Sequence, residues 1–159
     1  MDMNRFLWQP YLLWVAFTEG VGLLSGLLSR EGIRLYNIYA IKPSLAPPSF
    51  VFPIVWTILF GLMGVSAARV SLTAPSPERK RSLTLFFLQL GANVLWSVLF
   101  FNLQAYGAAF VWILLLWLLI LGTILSFRTV DPLASLLQIP YLLWVTFAAY
   151  LNFMVWILN

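Results

Sequence analysis

From Leu83 to Phe127 the chain runs for 45 residues without a single charged side chain. As one α-helix, rising about 1.5 Å per residue, that stretch would extend about 67 Å, roughly twice the ~30 Å hydrocarbon core of a bilayer. It must therefore fold back once. Asn102, Gln104, Tyr106 and Gly107 interrupt its Leu, Phe and Trp runs and supply turn chemistry, which predicts two antiparallel spans, about 83–102 and 106–127. The stretch 49–68 is uncharged up to Arg69, and 132–159 is uncharged to the last residue, which gives further spans at about 49–69 and 134–157. A first span, about 10–29, begins at Pro10, a residue suited to a first helical turn, and is interrupted by Glu19, Gly20, Gly22 and Gly26.

Only 9% of the residues are charged and 62% are apolar, whereas about a quarter of a soluble domain is charged. Five spans use roughly 100 of the 159 positions. The expectation is an all-α membrane protein: a single five-transmembrane-helix bundle over residues 1–159, in contact with the lipid bilayer. With no Cys and no His, the usual ligands of zinc, copper, iron-sulfur clusters and haem iron are missing. Any chemistry must rest on aromatic rings, amides, hydroxyls or carboxylates, and neither a metal site nor a required cofactor is expected. The net charge of +4 sits mainly at span ends, where headgroups rather than nucleic acid meet it. Arg5, Arg69, Arg79, Lys80, Arg81 and Arg128 fall on one side and Arg30, Arg34 and Lys42 on the other, which favours a cytoplasmic N-terminus. Residues Met1 to Gln9 lack a long basic region and no small-residue cleavage site follows, so the first span reads as retained.

Tryptophans in membrane proteins usually anchor at the interface, yet Trp96, Trp117 and Trp144 fall near the midpoints of their spans. An indole N–H at that depth needs a partner, which suits a polar-lined cavity better than lipid. Gln89, Asn93, Trp96, Ser97 and Phe100 recur at i, i+4, i+7, i+8 and i+11 and share one helical face. Phe52, Trp56 and Phe60 form a similar face on the second span, and Tyr141, Trp144, Ala148 and Asn152 one on the fifth. The three faces either line a common cavity or simply tie helices together through their amides.

Three further features stand out. The connection Arg30–Pro48 is long for a compact bundle, its end stiffened by Pro43, Pro47 and Pro48. Tyr36, Tyr39 and Leu45 are placed to drape over the bundle as a lid, the alternative being a plain surface loop. Glu19 is the only acid inside a span and is either a functional group or a structural one kept neutral or directed at water. Gly22 and Gly26 form a small-xxx-small pair suited to close helix contact. The run from Pro10 to Phe17 recurs from Pro140 to Phe147 with seven identities in eight, a parallel echo better read as local packing similarity than as a repeat.

The segment Lys42-Pro43-Ser44-Leu45-Ala46-Pro47-Pro48-Ser49-Phe50-Val51-Phe52-Pro53-Ile54-Val55-Trp56 resembles the signature of the TspO/MBR family, the tryptophan-rich sensory and translocator or peripheral benzodiazepine receptor proteins. The run from Gln89 to Trp96 is similar to that family's third helix, and Pro140 to Trp144 with Leu151-Asn152 to its fifth. The resemblance implies a five-helix bundle, commonly a homodimer, with a pocket near the first connection for porphyrins and for isoquinoline or benzodiazepine-like drugs. Carried over by position, that pocket takes Tyr36, Trp56, Phe60, Asn93, Trp96, Trp144 and Ala148, to which the shared faces add Gln89, Ser97 and Tyr141. Light-dependent degradation of protoporphyrin by some members implies a catalytic role for Trp56 and Trp144. The chain departs from the family in having Leu35-Tyr36 for the usual Trp-Tyr, one extra residue before Lys42, and Leu45 for a Trp. Leu151 to Asn159 also lacks the Tyr and following basic residue of the animal members' cholesterol motif.

Three functions are thereby set up. The first is binding of protoporphyrin IX or haem in a sensory or regulatory role, with Arg34 or Lys42 meeting the propionates. The second is photo-oxidation of that ligand. The third is transport of porphyrins or other small lipophiles, which five spans serve poorly because they do not divide into equal halves and offer only Glu19 to a proton relay.

Overall fold

A computed structural model of the chain describes residues 8–159. Its helices are α1 (Trp8–Leu28), α2 (Arg30–Tyr39), α3 (Val51–Ser71), α4 (Pro77–Ser97), α5 (Tyr106–Val130), α6 (Pro132–Leu137) and α7 (Ile139–Leu158), with a π turn, Val98–Asn102, continuing α4. Five segments are long and apolar enough to cross a membrane: α1, α3, α4 with its π turn, α5, and α6 with α7. Arg5, one of the residues in the charge balance, lies outside the described residues.

Local chemistry moves two boundaries away from the uncharged stretches. α4 begins at Pro77 because the Ser76 hydroxyl accepts from the Arg79 N–H at 3.1 Å, with proline at the first helical position and Glu78 in the first turn. The charges from Glu78 to Arg81 thus ride on the helix itself. The fifth span is two helices. Asp131 caps α6 by accepting from the Leu133 N–H at 3.1 Å, and the helix breaks at Gln138, since Pro140 has no N–H to continue the ladder.

The connection after α1, expected as a loop, is helical over Arg30–Tyr39. Its helix was hidden because it is short and polar, carrying a Glu31–Arg34 ion pair at i, i+3 rather than a long apolar stripe. Gly32 lets α2 lie directly on the π turn: a Cβ there would stand 2.5 Å from the Phe101 carbonyl group. Asn102 Nδ2 donates to the Leu28 carbonyl at 3.0 Å, and the Ser29 and Ser97 hydroxyls meet at 2.9 Å. Beyond α2, Ile41 exchanges two backbone hydrogen bonds with the Asn159 amide, at 3.0 and 2.8 Å. Tyr39 and Leu45, placed by the sequence over the bundle, are instead 76% and 64% exposed, and Tyr36 alone turns inward.

α3 packs along α1 and against α6, α4 along α5, and α5 along α7. The α1–α3 contact depends on Gly64, where a Cβ would sit 2.6 Å from Val15 Cα, and the Thr18 hydroxyl donates to the Phe60 carbonyl at 2.7 Å beside it. Of the Gly22 and Gly26 pair only Gly22 makes a close approach, to the Phe60 ring. Met63, Ala67, Val70, Phe86, Ile120, Phe127 and Ala134 are at most 1% exposed, so the half of the bundle around α6 is solid. It is pinned by Ser66 donating to the Ala134 carbonyl at 2.7 Å and by the Arg69–Asp131 ion pair at 2.8 Å.

Candidate functional site

The other half of the bundle is hollow. α3 packs on α6 rather than along α7, and a cavity of about 1020 Å³ lies between α1, α3, α4 and α7, with α2 across its end. That volume is at the top of the ~300–1,000 Å³ usual for small-molecule sites. Three indoles from three spans face it: Trp56 of α3, Trp96 of α4 and Trp144 of α7. Trp56 and Trp144 stand edge to face, their centroids 6.5 Å apart and planes at 89°. Phe60 tilts against Trp56 at 5.7 Å, Phe52 against Trp144 at 5.8 Å, and Phe100 stacks on Trp96 at 5.2 Å. Such geometries suit the ring quadrupoles and leave indole faces and edges available to a flat ligand.

The N–H groups of these indoles are treated differently. Trp96 Nε1 donates to Asn152 Oδ1 at 2.9 Å, and Asn152 Nδ2 in turn donates to the Tyr106 carbonyl at 2.8 Å. Trp144 Nε1 is buried with no partner among the described residues. Asn93 Nδ2 donates to the Tyr141 hydroxyl at 2.7 Å, and this bridge from α4 to α7 lies behind the floor of the cavity, where Asn93 meets it.

Of the ten binding residues read from the sequence, Tyr36, Trp56, Phe60, Asn93, Trp96, Ser97, Trp144 and Ala148 line the cavity. Gln89 and Tyr141, expected on the same wall, do not reach it. Both are buried, at 0% and 1% exposure, beneath or within the floor. Gln89 shares the azimuth of Asn93 but sits one turn, about 6 Å, deeper along α4. Trp117 faces away from the cavity and donates to the Thr146 hydroxyl at 2.9 Å. Arg34 and Lys42 are also absent from the wall. Arg34 is engaged with Glu31, while Lys42 Nζ donates to the Asn37 carbonyl at 3.2 Å and lies 5.0 Å over the Tyr36 ring. Tyr36 packs on Phe100 at 5.3 Å, and burial, with Tyr106 nearby, pushes its phenol up to about 12.

The site list read from the sequence lacked the α1 wall: Glu19, Gly20, Gly22, Leu23, Ser25 and Gly26. The signal was present, since three glycines within one apolar helix leave space unfilled. The echoed segments occupy unlike settings: Trp14 packs on Phe86 and Phe87, whereas Trp144 packs on Trp56. Among the described residues no cluster of three or more His, Cys, Asp or Glu could hold a metal ion.

Helix lengths and cavity together define a five-span membrane protein with a tryptophan-lined cavity between its helices. Residues 14–157 match the TspO/MBR family, and the chain belongs to that family. It is 41% identical to the tryptophan-rich protein TspO of Chlorobaculum tepidum over 148 residues, covering 92% of this chain and 94% of the relative. It is 36% identical to the tryptophan-rich sensory protein of Cereibacter sphaeroides, over 92% of this chain and 89% of that one. The translocator protein of Ovis aries is likewise 36% identical, over 94% and 89%. The protein is an integral, multi-pass membrane protein.

Proposed function

We propose that the protein binds a flat, largely apolar tetrapyrrole, protoporphyrin IX or haem, in this cavity and serves a sensory or regulatory role in tetrapyrrole handling. The observation that carries this reading is the convergence of Trp56, Trp96 and Trp144 from three helices on one chamber, with the Trp144 N–H left for a ligand. Stacking on indoles and an apolar wall suit a ring system of this kind. No Lys or Arg lies on the wall, so propionates would point outward past Tyr36, where Lys42 waits. The Cereibacter relative is named a tryptophan-rich sensory protein, which agrees in kind.

Titration of the purified protein with protoporphyrin IX, read by tryptophan fluorescence, should give saturable quenching. Trp144→Ala should weaken half-saturation about tenfold or more through the lost stacking partner. Unsaturable quenching, or unchanged affinity in that variant, rejects the reading.

The edge-to-face pairing of Trp56 and Trp144 favours a second reading, light-dependent oxidative degradation of the same ligand, with dioxygen as the oxidant and these indoles stabilising a transient radical beside the excited ring. Under light and oxygen the wild type should then give a discrete product that Trp56→Phe does not. Equal bleaching by both excludes it.

A further inference from the structure

The tetrapyrrole reading leaves Glu19 unused, yet Glu19 is the one carboxylate among the described residues of the cavity wall. Among the described residues its carboxylate has no ion-pair or hydrogen-bond partner. Room for it comes from α3, where Gly61 presents bare backbone: a Cβ at Gly61 would lie 3.4 Å from Glu19 Oε1. The residue before Gly61 is Phe60, whose ring leans on Trp56 in the same cavity. A carboxylate that shares a cavity with Phe60 and Trp56 can recognise an organic cation, by its charge and by the ring quadrupoles together.

Depth excludes the nearest abundant source of such a group. Glu19 lies within about 2 Å of the midpoint of α1, so the ammonium of a lipid headgroup stays about 15 Å away. An unpaired carboxylate at this level is costly, and a partner that brings its own positive charge removes the cost. A porphyrin whose propionates turn outward past Tyr36 brings no positive charge to this depth, so the carboxylate does not serve the ligand proposed above.

We infer that Glu19 forms a carboxylate subsite through which the cavity accepts flat lipophilic organic cations as a second ligand class. The inference rests on the chamber being a ligand site, and not on the ligand being a tetrapyrrole. Rhodamine 6G, a permanent flat cation, is a suitable probe, with protein in nanodiscs of zwitterionic lipid and binding read by fluorescence anisotropy. Wild type should bind it saturably, Glu19→Asp should retain most of the affinity, and Glu19→Gln should lose about tenfold or more. Protoporphyrin IX should bind Glu19→Gln no more weakly than wild type, and this contrast separates a charge effect from a damaged fold. Equal rhodamine affinity in wild type and Glu19→Gln overturns the subsite. So does parallel weakening of both ligands, or wild type that binds protoporphyrin but not rhodamine. Glu19-dependent rhodamine binding without saturable protoporphyrin binding keeps the subsite and removes the tetrapyrrole reading instead.

Discussion

Asn152 satisfies two groups at once, accepting from Trp96 Nε1 and donating to the Tyr106 carbonyl, so one side chain joins α4, α5 and α7 beside the cavity. Asn152→Leu keeps the volume and removes both bonds, leaving an indole N–H and a carbonyl without partners. A loss of about 1–3 kcal/mol in stability is expected, read as a lower thermal midpoint in detergent, with Trp96 freed to rotate and its emission shifted. At this scale direction was legible in the residues, but height was not. Helical periodicity placed Gln89, Asn93 and Trp96 on one inward face, and all three are inward. It could not tell that Asn93 meets the chamber while Gln89 lies below it, because spacing reports azimuth and the position of the floor depends on Tyr141 from another helix. Glu19 shows the converse: its chemistry was legible as the lone acid in a span, but that it faces the aromatic chamber follows only from the approach of α3.

The element that most shapes the site is α2, held on the π turn by the missing side chain of Gly32. Gly32→Ala should lift it, because the new methyl meets Phe101 backbone rather than a movable side chain. Tyr36 then reports the change. Burial favours its neutral phenol, so the contribution is complete below about pH 10, the ordinary tyrosine value, and is lost as pH rises through about 12. In Gly32→Ala the ultraviolet titration of Tyr36, isolated by difference from Tyr36→Phe, should fall back toward about 10. At the α1–α3 contact, Gly64→Val should destabilise by about 1–3 kcal/mol, since Val15 backbone cannot yield without moving α1. α1 was recognisable despite Glu19 and its glycines because Pro10 and an apolar length frame it. α2 was not, because ten polar-faced residues carry no period long enough to separate a helix from a loop.

For the whole molecule, the spans were readable because uncharged length compared with bilayer thickness is a direct physical test. The chamber was legible only as one of two alternatives, since periodicity turns Trp56, Trp96 and Trp144 inward but a void arises where helices diverge, and no residue type encodes divergence. The proposed orientation can be checked with little engineering because the chain has no cysteine. Single cysteines replacing Lys42 and Lys80 should report opposite sides, with a membrane-impermeant maleimide labelling position 42 in intact cells and position 80 only after permeabilisation. Reversed labelling would place the N-terminus outside. The Asn93–Tyr141 bridge, with the solid half of the bundle beneath it, carries one more consequence. Together they close the inner end of the cavity, so a ligand seated between Trp56 and Trp144 has solid protein on that side, and the molecule is built as a cup rather than as a conduit from one face of the membrane to the other.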